Sequence, residues 1–117
     1  MKVNRIVANI AAPDVQRGHD FYHGILGLAL EMDHGWIQTW AAPSNMQVQV
    51  SVASEGGSGT PVPDLSVEVD DVEEALARVR KAGLPVAYGP ADEPWGVRRF
   101  YVRDPFGKLV NILQHKG

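Results

Sequence analysis

The 117-residue chain has no cysteine, which excludes disulfides, thiol catalysis and cysteine-ligated zinc together. No apolar run approaches membrane-spanning length, and Met1 leads straight into the strand-like VNRIVANI, leaving no room for a signal peptide. The expectation is a cytoplasmic protein with no membrane partner. Clustered positive charge is missing as well. Lys and Arg total 11 against 14 Asp and Glu, scattered along the chain, for a net charge of −3. Phosphate backbones need a basic patch, so nucleic acid is not an expected partner. A glycine-rich phosphate loop is also absent, because GGSG at 56–59 follows no strand–helix signature. No serine lies in a nucleophile-elbow pattern with a base beside it.

What the chain does have is an internal repeat. WIQTWAAPSNMQVQVSV (36–52) lies over RRFYVRDPFGKLVNILQ (98–114), placing Pro43 on Pro105 and Gln49 on Asn111. RIVANI (5–10) lies over DLSVEV (64–69), and a helix-like stretch follows each. Self-similarity at half the chain length implies two copies of one supersecondary module related by a pseudo-two-fold axis. Each position in one half then has a counterpart in the other.

Periodicity supplies the elements. Val3–Ile10 reads as a strand, and Pro13-Asp14 opens a helix running to about Gly24. Strands follow over Leu28–Met32 and Trp36–Ala41, with a turn at Pro43-Ser44-Asn45. Met46–Ala53 is a strand with Gln47, Gln49 and Ser51 on one face and Val48, Val50 and Val52 on the other. SEGGSGT (54–60) reads as a flexible linker. The second half repeats the order: a strand over Leu65–Val69, then a helix from Val72 to Ala82 capped by Asp70-Asp71 and ended by Gly83 and Pro85. Next come a strand near Pro85–Tyr88 and the loop PADEPWG. A hairpin of Val97–Arg103 and Lys108–His115 closes the chain, turning through Asp104-Pro105-Phe106-Gly107 in type I fashion. Both halves read β-α-β-β-β. The domain organisation is a single domain over 1–117, with module 1 at about 1–53, a linker at about 54–61 and module 2 at about 62–117.

FYHGILGL (21–28), VEVDDVEEALARVRKAG (67–83) and EPWGVRRFYVRDPFGKLVNILQH (93–115) resemble the vicinal oxygen chelate superfamily of glyoxalases, extradiol dioxygenases and bleomycin-resistance-type binding proteins. The resemblance implies an α+β fold of two βαβββ modules, whose curled mixed sheets surround a central cavity, and a homodimer. It also implies that any metal ligands come from the positions of Arg5 and Asp64 on the first strands and of Gln49 and Asn111 on the last. A guanidinium has no lone pair to offer and repels a cation. Asn and Gln are weak neutral donors, so no metal and no cofactor is expected, and Arg5 is expected to pair with Asp64.

The resulting expectation is a cavity floored by Arg5, Gln49, Asp64 and Asn111 and walled by Trp36, Trp40 and Trp95. It would bind a small organic ligand by hydrogen bonds and apolar contact, as a sequestering protein does. The alternatives are a metal-dependent lyase, isomerase or dioxygenase with unusual ligands, and a structural or regulatory dimer. His19 and His23 stand at i, i+4, but Asp20 points elsewhere, so they read as a surface pair. Asp14, Asp70 and Asp71 read as helix caps.

Overall fold

The structure, a computed structural model, describes residues 1–42 and 45–116, with side chains described except at 45–48. The expected turn at Pro43-Ser44 and the faces of Gln47 and Val48 lie outside the described residues. The strands are β1 (Val3–Ala11), β2 (Ala29–Asp33), β3 (Ile37–Ala42), β4 (Asn45–Ala53), β5 (Leu65–Val69), β6 (Val86–Glu93), β7 (Val97–Arg103) and β8 (Leu109–His115), with one α-helix, α1 (Val72–Lys81). Two compact units form: Met1–Ile6 with Pro63–Gly117, and Val7–Val62.

In the first of these units the strand order is β1-β5-β8-β7-β6. Parallel pairing of β5 with β8 sets Leu65 beside Val110 and Ser66 beside Asn111. Antiparallel pairing of β7 with β8 sets Tyr101 opposite Asn111. The hairpin between them turns where the sequence predicts, with Gly107 N donating to Asp104 O at 3.0 Å. The Asp104 side chain accepts from the N–H groups of Phe106 and Lys108.

α1 begins because Asp71, in an extended conformation, accepts from Glu74 N at 3.1 Å through Oδ1. Glu73 and Glu74 occupy its first turn, and Arg78, Arg80 and Lys81 its last, matching the helix dipole. It ends at Gly83, whose φ of +76° only glycine adopts without strain. Its buried face, Val72, Ala75 and Leu76, packs with Val69, Phe100 and Val102 in one core cluster. Side chains alternate along β7. Phe100 and Val102 therefore face α1, and Arg99 and Tyr101 occupy the opposite face.

In the Val7–Val62 unit the order is β2-β3-β4-β1, with β1 and β4 parallel in the register Ala8 to Val50. The described residues hold eight strands in all. The α+β class is as expected from the sequence, but the first half has no α-helix among its described residues. A 3-10 turn (Val15–Gly18) and a π turn (His19–His23) stand where one is predicted, and Asp14 makes no side-chain cap. Five-residue spacing appears in Gly24 N to His19 O, 3.0 Å, and Leu26 N to Phe21 O, 3.1 Å. A Cβ at Gly24 would stand 2.3 Å from Asp20 O, so only glycine closes this wider turn. The turns cover a core of Val15, Trp40 and Val52.

The SEGGSGT stretch closes on itself. Gly56 N donates to Thr60 O at 2.8 Å, Thr60 Oγ1 donates to Gly57 O at 2.8 Å, and Gly59 N donates to Glu55. No helix among the described residues is long and apolar enough to cross a membrane.

Two expectations follow for α1. Asp71→Ala should lower stability by about 1 kcal/mol in urea unfolding, the usual cost of a lost N-cap. The Glu74 carboxylate accepts hydrogen bonds from the Met1 amino group and then from Arg78, which together hold its pKa below the ordinary carboxylate value. Its contribution is therefore complete above that ordinary value and fades as pH falls through the lowered one. Glu74→Gln should flatten the acid limb of a melting-temperature profile taken from about pH 6 to pH 2.

Candidate functional site

The face of the β5–β8–β7–β6 strands turned away from α1 carries polar residues at every strand. Asn111 lies at its middle, 7% exposed, flanked by Ser66 on β5 and Tyr101 on β7. Its Nδ2 donates to Ser66 Oγ at 3.2 Å. Its Oδ1 is buried and accepts nothing from the described residues. An acceptor left in that state costs about 1–3 kcal/mol. A water, an ion or a ligand group could supply the missing donor.

Beside it lies a closed box of charge. Arg99 and Glu93 are 3% and 4% exposed at their side chains and pair at 2.7 Å. Both Arg99 Nε and NH2 donate to Glu93 Oε2, NH1 donates to the Tyr101 hydroxyl at 3.0 Å, and the Tyr88 hydroxyl donates to Glu93 Oε1 at 3.2 Å. The guanidinium carbon stands 5.0 Å from the rings of Trp95 and Tyr101 and 5.3 Å from that of Tyr88. Each ring presents its negative face to a cation that water does not reach. Trp95, expected as a wall, thus takes part as one side of this box.

Arg5 and Asp64 do not meet as the sequence suggests. Arg5 Nε donates to Glu68 Oε1 at 2.7 Å, and His115 Nε2 lies 3.1 Å from both Arg5 and Glu68. Asp64 is exposed and bonds the Leu109 backbone at both ends, Oδ2 from Leu109 N and its own N to Leu109 O. The register explains this. Ser66 is the neighbour of Asn111, so Asp64 falls one pleat early, level with Leu109 and before β5 starts. The expected Arg5–Asp64 pair is replaced by Arg5–Glu68.

In the other unit Gln49 is partly buried on β4 opposite Ala41. Ser51, two residues on, is buried and shares a 2.8 Å hydrogen bond with Thr39 Oγ1. Trp36, ahead of β3, stacks on His34, and its carbonyl accepts from Ser54 N. Trp40 is 1% exposed in the core. Of these two expected cavity walls, Trp36 is thus a partly buried ring and Trp40 a core ring.

Among the described residues no three His, Asp or Glu side chains gather as a metal group. The unit built on β5–β8 offers Asn111 and Ser66 as neutral oxygens, while its Glu68 carboxylate is held by a guanidinium. A divalent catalytic ion wants charged or imidazole donors with an open position, and this donor set does not fit one.

Sequence reasoning missed Glu93, Arg99, Tyr88, Tyr101, Ser66 and Glu68. The strand alternation already separates Arg99 and Tyr101 from Phe100 and Val102, which was signal enough. Glu93 was hidden because β6 runs on to Glu93 through a stretch that its two prolines mark as loop.

A sequence profile described as the Glyoxalase/Bleomycin resistance protein/Dioxygenase superfamily matches residues 2–112. No curated protein sequence matches. Among solved structures, the chain is similar to an NAD-dependent benzaldehyde dehydrogenase structure from Legionella pneumophila, with TM-score 0.74 and 13% identity over 95% of this chain and 99% of that one. It is similar to a glyoxalase/bleomycin resistance protein/dioxygenase superfamily member from Vibrio splendidus, with TM-score 0.69 and 18% identity over 97% and 99%. Methylmalonyl-CoA epimerase from Mycobacterium tuberculosis follows, with TM-score 0.66 and 19% identity over 98% and 88%. At these identities the likeness is one of fold.

The box predicts a double-mutant result. Glu93→Gln or Arg99→Met alone should cost about 3–5 kcal/mol in urea unfolding, because each leaves its partner charged and dry. The double variant should cost less than the sum of the two, and that coupling is the quantity to measure.

Proposed function

The chain belongs to the glyoxalase/bleomycin resistance protein/dioxygenase superfamily, and from that premise we propose that it binds a small organic molecule without a metal ion. The observation that carries this reading is the Asn111 Oδ1 atom, buried on the polar face with no donor among the described residues. A hydroxyl or N–H of a ligand supplies that donor at little desolvation cost to the protein, since the acceptor is already dry. Tyr101 and Ser66 flank Asn111, and Ser66 Oγ accepts from its side chain.

The chemistry of this face favours binding over catalysis. Its Arg5 and Arg99 guanidiniums are each engaged by a carboxylate, and a side chain so held is a poor proton shuttle or electrophile. What remains is a neutral acceptor in a rigid frame. A sequestering role follows naturally: hold a donor-bearing, flat or amphipathic molecule out of water and release it unchanged.

Elemental analysis of the purified protein, followed by calorimetric titration with hydroxyl- and amide-bearing aromatic compounds, tests the reading. Heat of binding in metal-free protein is the expected result. Stoichiometric zinc, nickel, manganese or iron, with activity lost on chelation, would favour the metal-dependent alternative instead. Asn111→Leu should abolish the binding heat while raising stability by about 1 kcal/mol, because the orphaned acceptor is gone. A variant that binds as well as the parent would remove Asn111 from the site.

A further inference from the structure

A second candidate site lies wholly within residues 7–62, on the π turn, and does not depend on the reading above. From sequence, His19 and His23 are a surface pair, because no third ligand stands beside them. The structure brings their rings together, with centroids 4.9 Å apart and planes 36° from parallel. Two imidazoles that bind one ion at about 2.0–2.1 Å, at an angle between square and tetrahedral, have ring centres about 5 Å apart. The spacing is that of a chelate.

The ring nitrogens are sorted as a ligand pair requires. His23 Nδ1 lies 2.9 Å from Leu28 O. A carbonyl only accepts, so Nδ1 carries the hydrogen and neutral His23 keeps its lone pair at Nε2. His19 Nδ1 faces the Asp20 carboxylate at 3.7 Å, which favours the hydrogen at Nδ1 and the lone pair at Nε2 there too. Neither Nε2 has a hydrogen-bond partner among the described residues. An oxygen behind one ring nitrogen, with the other left open, is what orients a metal-binding histidine. The pair is also held in place. Gly27 N donates to His23 O and Leu28 N to Tyr22 O, both at 2.9 Å, closing the loop that carries the Leu28 carbonyl. Buried Trp40 backs both rings, its centroid 5.7 Å from that of His19 and 6.4 Å from that of His23.

We propose that His19 and His23 form a two-nitrogen site for a late first-row transition ion, copper(II) above nickel(II) and zinc(II), bound through both Nε2 atoms with water in the remaining positions. Imidazole nitrogen suits these ions better than magnesium, calcium or manganese, and the usual order of affinities puts copper first. Both residues are exposed, so solvent reaches the water-bearing positions. Two neutral protein ligands make the ion exchangeable. The site shares no residue with the face around Asn111, so losing the ion to a chelator leaves organic binding there untouched.

Copper(II) sulfate titrated into the isotope-labelled full chain is the test, read by NMR and by calorimetry. At substoichiometric copper, paramagnetic broadening should centre on the amides of His19 and His23 and on the Trp40 indole N–H. His19→Gln and His23→Gln should each weaken copper about tenfold or more, and His34→Gln should leave it unchanged. His23→Gln also loses the bond to Leu28 O, so its folding is at risk. The His19 ring makes no hydrogen bond among the described residues, so His19→Gln should melt like the parent and keeps the test decisive. Broadening centred on the Met1 amino group, on His34 or on His115 overturns the proposal. So does a copper affinity that His19→Gln leaves unmoved, or manganese binding as tightly as copper.

Discussion

Glu93 and Arg99 form an ion pair that water does not reach, and much of the polar face is arranged around that constraint. Two dry charges are tolerated only if geometry and extra hydrogen bonds offset their desolvation. Here the carboxylate takes Nε and NH2 on one oxygen and the Tyr88 hydroxyl on the other, and three rings enclose the guanidinium. The same demand fixes Tyr101, whose hydroxyl accepts from Arg99 and whose backbone lies opposite Asn111. Asn111 thus pairs across the strands with one member of the box, and its side chain donates to Ser66.

Charge closure has a chemical consequence. Arg5 is engaged by Glu68, and Arg99 by Glu93, so the cations on this face are answered within the protein. A ligand of the proposed kind would meet a face whose strongest groups are already neutralised and whose remaining demand is for a hydrogen-bond donor. One architecture can host many chemistries, so the side chains on this face decide its function more than the fold does. Substituting one strand residue, a carboxylate for Asn111, would change what the face could hold.

Much of the architecture was legible because it rests on local rules. Alternation gives β5, β7 and β8 to within a residue, the Asp71 cap gives α1, and the internal repeat places Gln49 and Asn111 on matching strands. The misreadings have physical reasons. The first helix gives way to a 3-10 turn and a π turn, the π turn closing at Gly24, where a Cβ would collide with Asp20 O, and periodicity alone does not distinguish these from an α-helix. The family resemblance groups Asp64 with Asn111, whereas hydrogen-bond register places Ser66 there. Register is a pairwise property of two strands, and a shift of two residues preserves the face while changing the neighbour. Trp40 looks like a cavity wall on strand alternation, yet the turns after β1 bury it.

Binding without a metal ion is tested most directly at the face around Asn111. Manganese added to isotope-labelled protein broadens resonances close to any site it occupies, so its footprint can be read residue by residue. Asn111, Ser66 and Tyr101 should keep their line widths, while a donor-bearing organic ligand should shift them. Selective broadening centred on those three residues, relieved by a chelator, would contradict metal-free binding.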